Sequence, residues 1–173
     1  MVSSLIPALV QRLSTPVNHY CGKLFPATAL ALQSCLPLAQ SAHVRLQHRS
    51  NGNGECVRID RQRMQQVFEN LIQNAIQYSP PGGTVLTETT DTADSSAWIE
   101  YVVADEGPGF QAEDLPRIFE PFFSRRRGGT GLGLAIVQKI ITEHGGTITA
   151  ENRPAGGAAI TVRLPVSGGE RLL

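Results

Sequence analysis

No acidic residue precedes Glu55, although the whole chain carries 15 Asp and Glu against 15 Lys and Arg. The resulting zero net charge provides no global field for nucleic acid or an anionic membrane, so neither is expected as a partner. Cysteine is scarce. Cys21, Cys35 and Cys56 form no Cys-x-x-Cys pair, and an odd number of them suits no disulfide framework. A reducing, cytoplasmic setting is the expectation. No apolar run approaches the roughly 18 residues of a membrane-spanning helix. The opening MVSSLIPALV lacks the basic start of a secretory leader. Aromatic residues make up only 6%, yet hydrophobic residues as a class reach 41% of 173, enough for the core of one ordinary domain.

Residues 1–28 contain Pro7, Pro16 and Pro26, which exclude one long helix there. TALALQSCLPLAQSAH, 28–43, has helical character, with Pro37 expected to kink or restart it. VRLQ, 44–47, is expected as a short strand pairing with CVRI, 56–59, across the SNGNGE turn. Asp60 is a good N-cap for a helix beginning at Arg61. Met64, Val67, Phe68, Leu71, Ile72, Ala75 and Ile76 repeat at three and four, predicting an amphipathic helix that stops at SPPGG, 79–83. TVLTETT, 84–90, and AWIEYVVA, 97–104, read as a hairpin across DTADSS, and TITAEN, 147–152, with AAITVRLP, 158–165, as a second. Between them, 105–130 shows no sustained period, and a helix is predicted over 131–144, ending at His144-Gly145-Gly146. A long irregular stretch inside a compact domain is usually functional. Helices on one face of a mostly antiparallel sheet follow from this order. The tail SGGERLL, 167–173, is expected to be loose.

Four short blocks carry candidate chemistry. In ENLIQNAIQY, Asn70 and Asn74 are four apart on one helix face, and Tyr78 continues the stripe. They suit two solvent-facing amides, or a carbonyl pair offered to a hard cation such as Mg²⁺. DEGPGF, 105–110, comes directly after a strand. It suits a plain Gly-Pro turn, or a strand-end carboxylate, Asp105, that accepts from an amino group while Gly107 and Gly109 let the backbone approach a base. IFEPFF, 118–123, puts three phenylalanines in an irregular segment, where burial is expected, either as an anchor or as part of a mobile lid. Arg125, Arg126 and Arg127 come next, as a solvated run or as phosphate ligands. GGTGLGLAIV places four glycines between Gly128 and Gly133 ahead of a helix, an arrangement that favours an anion at the helix N-terminus. It has neither Walker A spacing nor a Gly-x-Gly-x-x-Gly after a first strand.

In that order, the four blocks resemble the N, G1, F and G2 boxes of the catalytic ATP-binding domain of sensor histidine kinases, over roughly residues 30–166. The resemblance implies a Bergerat-type two-layer α/β sandwich with an ATP lid, in the α+β class. It implies a segment 1–28 that is a relic of a dimerisation and phosphoacceptor region, a catalytic domain over 29–166 and a tail over 167–173. It implies ATP and Mg²⁺ as cofactors. Asn74 would hold Mg²⁺ with Asn70 beside it, Asp105 would take the adenine amino group, and Tyr78 would pack on the base. Gly129, Thr130, Gly131, Leu132 and Gly133 would edge the phosphates, under Arg125 to Arg127. The partners implied are a phosphoacceptor His domain and a response regulator, and the location implied is the cytoplasm, including as the cytoplasmic part of a membrane-bound sensor.

Two departures from the family pattern stand out. Gln77 occupies a place usually held by Lys or Arg, and QRLSTPV, 11–17, echoes the acceptor box with Gln11 where the phosphorylated His would be. His19 and His43 are candidate substitutes, while His144 reads as a helix C-terminal residue. Gyrase-type relatives carry a Glu four residues before the Mg²⁺ Asn. Here that place is Asn70, and Glu69 is rotated off the face of Asn74, which favours transfer to an imidazole over hydrolysis. The alternatives are a nucleotide-binding regulatory module without turnover and an anti-sigma-type serine kinase.

Overall fold

The computed structural model describes residues 20–22, 24–51, 57–91, 98–126 and 128–166. QRLSTPV, His19, Arg127, most of the SNGNGE and DTADSS turns, and the tail 167–173 lie outside the described residues. In chain order the elements are β1 (Tyr20–Gly22), α1 (Leu24–Ser41), β2 (Arg45–Asn51), β3 (Val57–Ile59) and α2 (Arg61–Tyr78). They continue with β4 (Thr84–Asp91), β5 (Trp98–Ala104), α3 (Gly133–Glu143), β6 (Thr147–Asn152) and β7 (Ala158–Pro165).

Asp60 starts α2 as its sequence position predicts. Its backbone is extended, and its carboxylate accepts from the N–H groups of Gln62 and Arg63 at 3.0 and 3.1 Å. The predicted stripe from Met64 to Ile76 is the buried face. Against it α1 presents Leu24, Ala27, Ala31, Cys35 and Ala39, mostly small residues that let the two helices come close. Burial among apolar neighbours and the nearby Glu69 carboxylate push the Cys35 thiol up to about 11, so it stays protonated and acts as a small hydrophobe.

Two expectations need correction. Pro37 does not restart α1, which runs unbroken from Leu24 to Ser41. Pro37 and Gln33 both lie on the exposed face, so water can satisfy the carbonyl that loses its donor. The other correction concerns strand pairing. β2 does not pair with β3 but runs parallel to β4, with Arg45 opposite Thr84, while β3 pairs antiparallel with β1. The 18-residue α2 is the crossover that returns the chain beside β2, a route that proximity in sequence conceals.

The main sheet has the order β2-β4-β5-β7-β6, with one parallel pair and three antiparallel pairs. Both predicted hairpins, β4–β5 and β6–β7, are present. Val85, Ile99, Tyr101, Val103, Ile160, Val162 and Leu164 join the helices in one core. At its centre the Phe68 and Tyr101 rings meet tilted, with centroids 4.1 Å apart. The other face is polar, with Arg163 Nε donating to Glu100 Oε1 at 2.6 Å. This is the expected α+β sandwich of helices on a mostly antiparallel sheet.

The two helices that frame the cavity, α2 and α3, are fixed to each other at their far ends. His144 caps α3; its Nε2 accepts the Asp60 N–H at 3.0 Å while Nδ1 lies 2.7 Å from the Ile140 carbonyl. Nε2 as acceptor makes Nδ1 the nitrogen that donates. Arg63 pairs with Glu143 at 2.6 Å beside it. Phe68→Ala removes the central ring from a fully buried site and is expected to cost about 3–5 kcal/mol in urea unfolding. A loss under about 1 kcal/mol would show that the Phe68–Tyr101 contact is not what closes the sandwich.

Candidate functional site

A cavity of about 430 Å³ opens between α2, the end of β5, the irregular segment 105–132 and the start of α3. Its apolar floor includes Leu71, Ala75, Val103, Ile118, Leu134 and Ile160. Asn70, Asn74 and Tyr78 reach it from α2, Asp105 and Gly109 from the segment after β5, and Arg125, Arg126, Gly129, Thr130, Gly131 and Gly133 from its rim. Residues far apart in sequence therefore meet around one hollow. Gly107 and Leu132 lie next to it without lining it.

The Asp105 end is built from backbone. Asp105 extends the β5–β7 ladder, its N–H donating to the Ala158 carbonyl at 2.9 Å. Its Oδ1 accepts from the Gly107 N–H at 2.8 Å and the Ala158 N–H at 3.1 Å. Those two bonds fix the carboxylate plane and leave Oδ2 as the acceptor for a ligand donor. Gly107 serves by close approach: a Cβ there would stand 2.5 Å from the Tyr78 carbonyl oxygen. Tyr78 itself is 46% exposed.

The opposite end is polar and open. The α3 N-terminus lies beside both amides: a Cβ at Gly133 would meet Asn70 Oδ1 at 3.6 Å and Asn74 Nδ2 at 4.0 Å, ordinary contact distances. No side chain caps that N-terminus, and its first turn holds no acidic residue. Its leading N–H groups and the helix dipole are open to an anion. Gly131 has φ +65, and its carbonyl accepts the Phe122 N–H at 2.9 Å. A Cβ at Gly131 would stand 2.4 Å from the Phe122 carbonyl carbon.

The phenylalanine block behaves differently from the expectation of burial. Ile118 is its buried anchor, Phe119 and Phe123 are half-buried, and Phe122 is 68% exposed. Phe122 takes φ +67 at the turn facing Gly131, which carries its ring outward. The Arg117 guanidinium covers the Phe123 ring at 5.0 Å.

The arginines are already engaged. Arg125 Nε meets Asp114 Oδ2 at 2.8 Å, and Nη2 meets Asp114 Oδ1 at 2.9 Å and Glu113 Oε1 at 2.6 Å. Hydrogen bonds that Arg125 donates to Asp114 first, then to Glu113, raise its pKa above the ordinary value. Arg126 Nη1 donates to Gln77 Oε1, so the residue that replaces the family's usual cation instead holds a cation from the rim. Glu69 does not line the cavity; it accepts from Gln65 Nε2 at 2.8 Å.

Sequence reasoning missed two groups. Glu113 and Asp114 gave a signal only as an acidic pair upstream of the arginine run. Asn152 read as the end of a strand, and Arg153 and Gly157 as no more than the turn after it, yet all three touch the segment after β5. Among the described residues no group of three or more His, Cys, Asp or Glu could hold a metal ion.

Residues 59–168 match the family described as histidine kinase-, DNA gyrase B- and HSP90-like ATPase. The chain is 42% identical over 115 residues to the sensor histidine kinase ZraS of Klebsiella oxytoca, covering 66% of this chain and 24% of that protein. It spans about a quarter of that relative's length. The catalytic domain of histidine kinase ThkA superposes with a TM-score of 0.78 at 29% identity, covering 87% of this chain and 99% of that one. Histidine kinase ThkA in complex with response regulator protein TrrA superposes at 0.79 with 25% identity, over 98% of this chain and 48% of that one.

Gly131→Ala forces a Cβ into the Phe122 backbone at a positive φ, a cost of about 1–3 kcal/mol local to the rim. Limited proteolysis is expected to cut faster between residues 118 and 132 while circular dichroism stays unchanged. An unchanged cleavage rate would contradict the tight Phe122–Gly131 contact.

Proposed function

The chain belongs to the histidine kinase-, DNA gyrase B- and HSP90-like ATPase family, as an ATP-binding domain of the sensor-histidine-kinase kind, and on that premise we propose that it binds Mg·ATP and passes the γ-phosphoryl group to a histidine outside this domain. The observation that carries the reading is the polarity of one cavity. A fixed carboxylate stands at one end, and two asparagine amides face an uncapped helix N-terminus at the other. Adenine would lie at the Asp105 end, its amino group donating to Oδ2, with Tyr78 at its side. The triphosphate would extend to the Asn70, Asn74 and Gly133 end.

A hard divalent cation fits there without a protein cage. No carboxylate cluster is present among the described residues, and Mg²⁺ ordinarily keeps several waters beside substrate phosphates. Asn74 would supply a side-chain oxygen, with Asn70 next to it. The ion would offset phosphate charge in the transition state. The protein's own part is positioning: α3 amides at the anion, Gly131 holding the rim against the Phe122 turn, and Arg126 at the rim. Arg125 would exchange Asp114 and Glu113 for phosphate as the rim closes. The γ-phosphorus–oxygen bond breaks as an imidazole nitrogen of the acceptor bonds to phosphorus, and ADP leaves. Glu69 lies outside the cavity with its carboxylate bonded to Gln65, which suits transfer over hydrolysis.

The acceptor would be a histidine on a partner domain, and an aspartate of a response regulator would take the group next. The ThkA–TrrA neighbour supports that partner class. No helix among the described residues is long and apolar enough to cross a membrane, so any membrane anchor would come from elsewhere.

Calorimetric titration with Mg·ATP tests the reading. Wild type is expected to bind, and Asp105→Asn to weaken binding at least tenfold, about 1.4 kcal/mol. Asn74→Ala is expected to weaken binding with Mg²⁺ present and to leave the metal-free affinity nearly unchanged. Absence of wild-type binding at millimolar nucleotide would overturn the proposal.

A further inference from the structure

The β6–β7 turn lies outside the four sequence blocks, yet its bonds reach the segment that carries Asp105. Asn152, the last residue of β6, holds the Phe110 peptide from both sides: Oδ1 accepts the Phe110 N–H at 2.7 Å, and Nδ2 donates to the Phe110 carbonyl at 2.8 Å. Arg153 Nη1 donates to the Asp105 carbonyl at 2.5 Å. Gly157, at φ +88, lies so close that a Cβ would stand 2.0 Å from the Asp105 carbonyl oxygen. Gly109, at φ +75, has room for only a hydrogen because Asn152 Oδ1 would stand 2.6 Å from its Cβ. The segment 105–110 is thus tied at both ends by side chains from one turn. Neither Asn152 nor Arg153 lines the cavity.

We propose that Asn152 and Arg153 are positioning residues that set the base selectivity of the site, by holding the Asp105 carboxylate at the place where a purine 6-amino group is read. The proposal rests on the adenine reading of Asp105. Its physical basis is directional. A carboxylate recognises one amino group only if Oδ2 stays put; Ala158 on β7 anchors Oδ1, but the other bond comes from Gly107 within the segment itself, so the backbone from 106 to 110 keeps freedom to shift around the carboxylate. Asn152 and Arg153 remove that motion by gripping Asp105 and Phe110, five residues apart. Asn152 is exposed, and hydrogen bonds in contact with water contribute little to global stability. Losing them therefore loosens the segment without unfolding the sandwich.

The test uses three ligands with wild type, Asn152→Ala, Arg153→Ala and Arg153→Lys. ATP carries the 6-amino group, ITP replaces it with an oxygen, and Mg·tripolyphosphate has no base. In the alanine variants, ATP affinity is expected to fall about tenfold and the preference for ATP over ITP to collapse toward unity. Tripolyphosphate affinity is expected to stay within about twofold, and the melting temperature within about 2 °C. Arg153→Lys, which keeps a donor for the Asp105 carbonyl, is expected to recover most of the preference. Unchanged ATP-over-ITP preference in both alanine variants would overturn the clamp while leaving the ATP reading intact. A parallel fall in all ligands together with the melting temperature would also overturn it, since that is a structural role only. A wild type that binds no ATP would overturn the adenine reading, and the clamp with it.

Discussion

Asp105 sits where a strand ends and an irregular segment begins, and its backbone and side chain both answer to Ala158. The Asp105 N–H continues the ladder into the Ala158 carbonyl, and the Ala158 N–H returns to Oδ1. One residue therefore closes the sheet and presents a carboxylate with a fixed orientation. Gly107, Gly109 and Gly157 are spaced around this junction because side chains there would strike the Tyr78 carbonyl, Asn152 and the Asp105 carbonyl. The cavity, the course of the segment over it and the placement of the α3 N-terminus all depend on the chain leaving β5 in this way.

The two ends of the cavity differ in construction. The Asp105 end rests on buried strands and on a loop bonded from three directions. The Asn70–Gly133 end combines a firm helix with a rim, residues 124–126 and 128–130, that is exposed along its described length. Segments with few buried contacts open at small cost in free energy. Such a division suits the proposed nucleotide, held by its base and enclosed at its phosphates. The ion pairs of Arg125 with Asp114 and Glu113 give the rim an internal partner.

Much of the fold could be read from periodicity. α2 and the two hairpins announce themselves through spacing at three and four, or at two, and through caps and turns that agree with it. The β2–β4 pairing was not legible, because parallel partners are joined by a whole helix and the nearer segment, β3, looks like a hairpin mate. Whether Pro37 interrupts α1 depends on which helix face it occupies, and that is a property of the packing. The four blocks drew attention to residues that the structure gathers at one cavity, since glycines before a helix and a carboxylate at a strand end carry a local signature. Asn152 and Arg153 carry none. Their role lies in bonds to Phe110 and Asp105 more than forty positions away, in a turn whose composition needs no further explanation.

The central claim is a base end formed in advance beside a phosphate end that closes on the ligand. Amide hydrogen exchange, measured residue by residue with and without Mg·ATP, tests it most directly. The account predicts that the amides of Gly107, Phe110 and Ala158 are already protected in the free protein. It predicts that added nucleotide raises protection chiefly between residues 124 and 134. Free exchange at Gly107 and Ala158 until nucleotide arrives, with the rim unaffected, would contradict it.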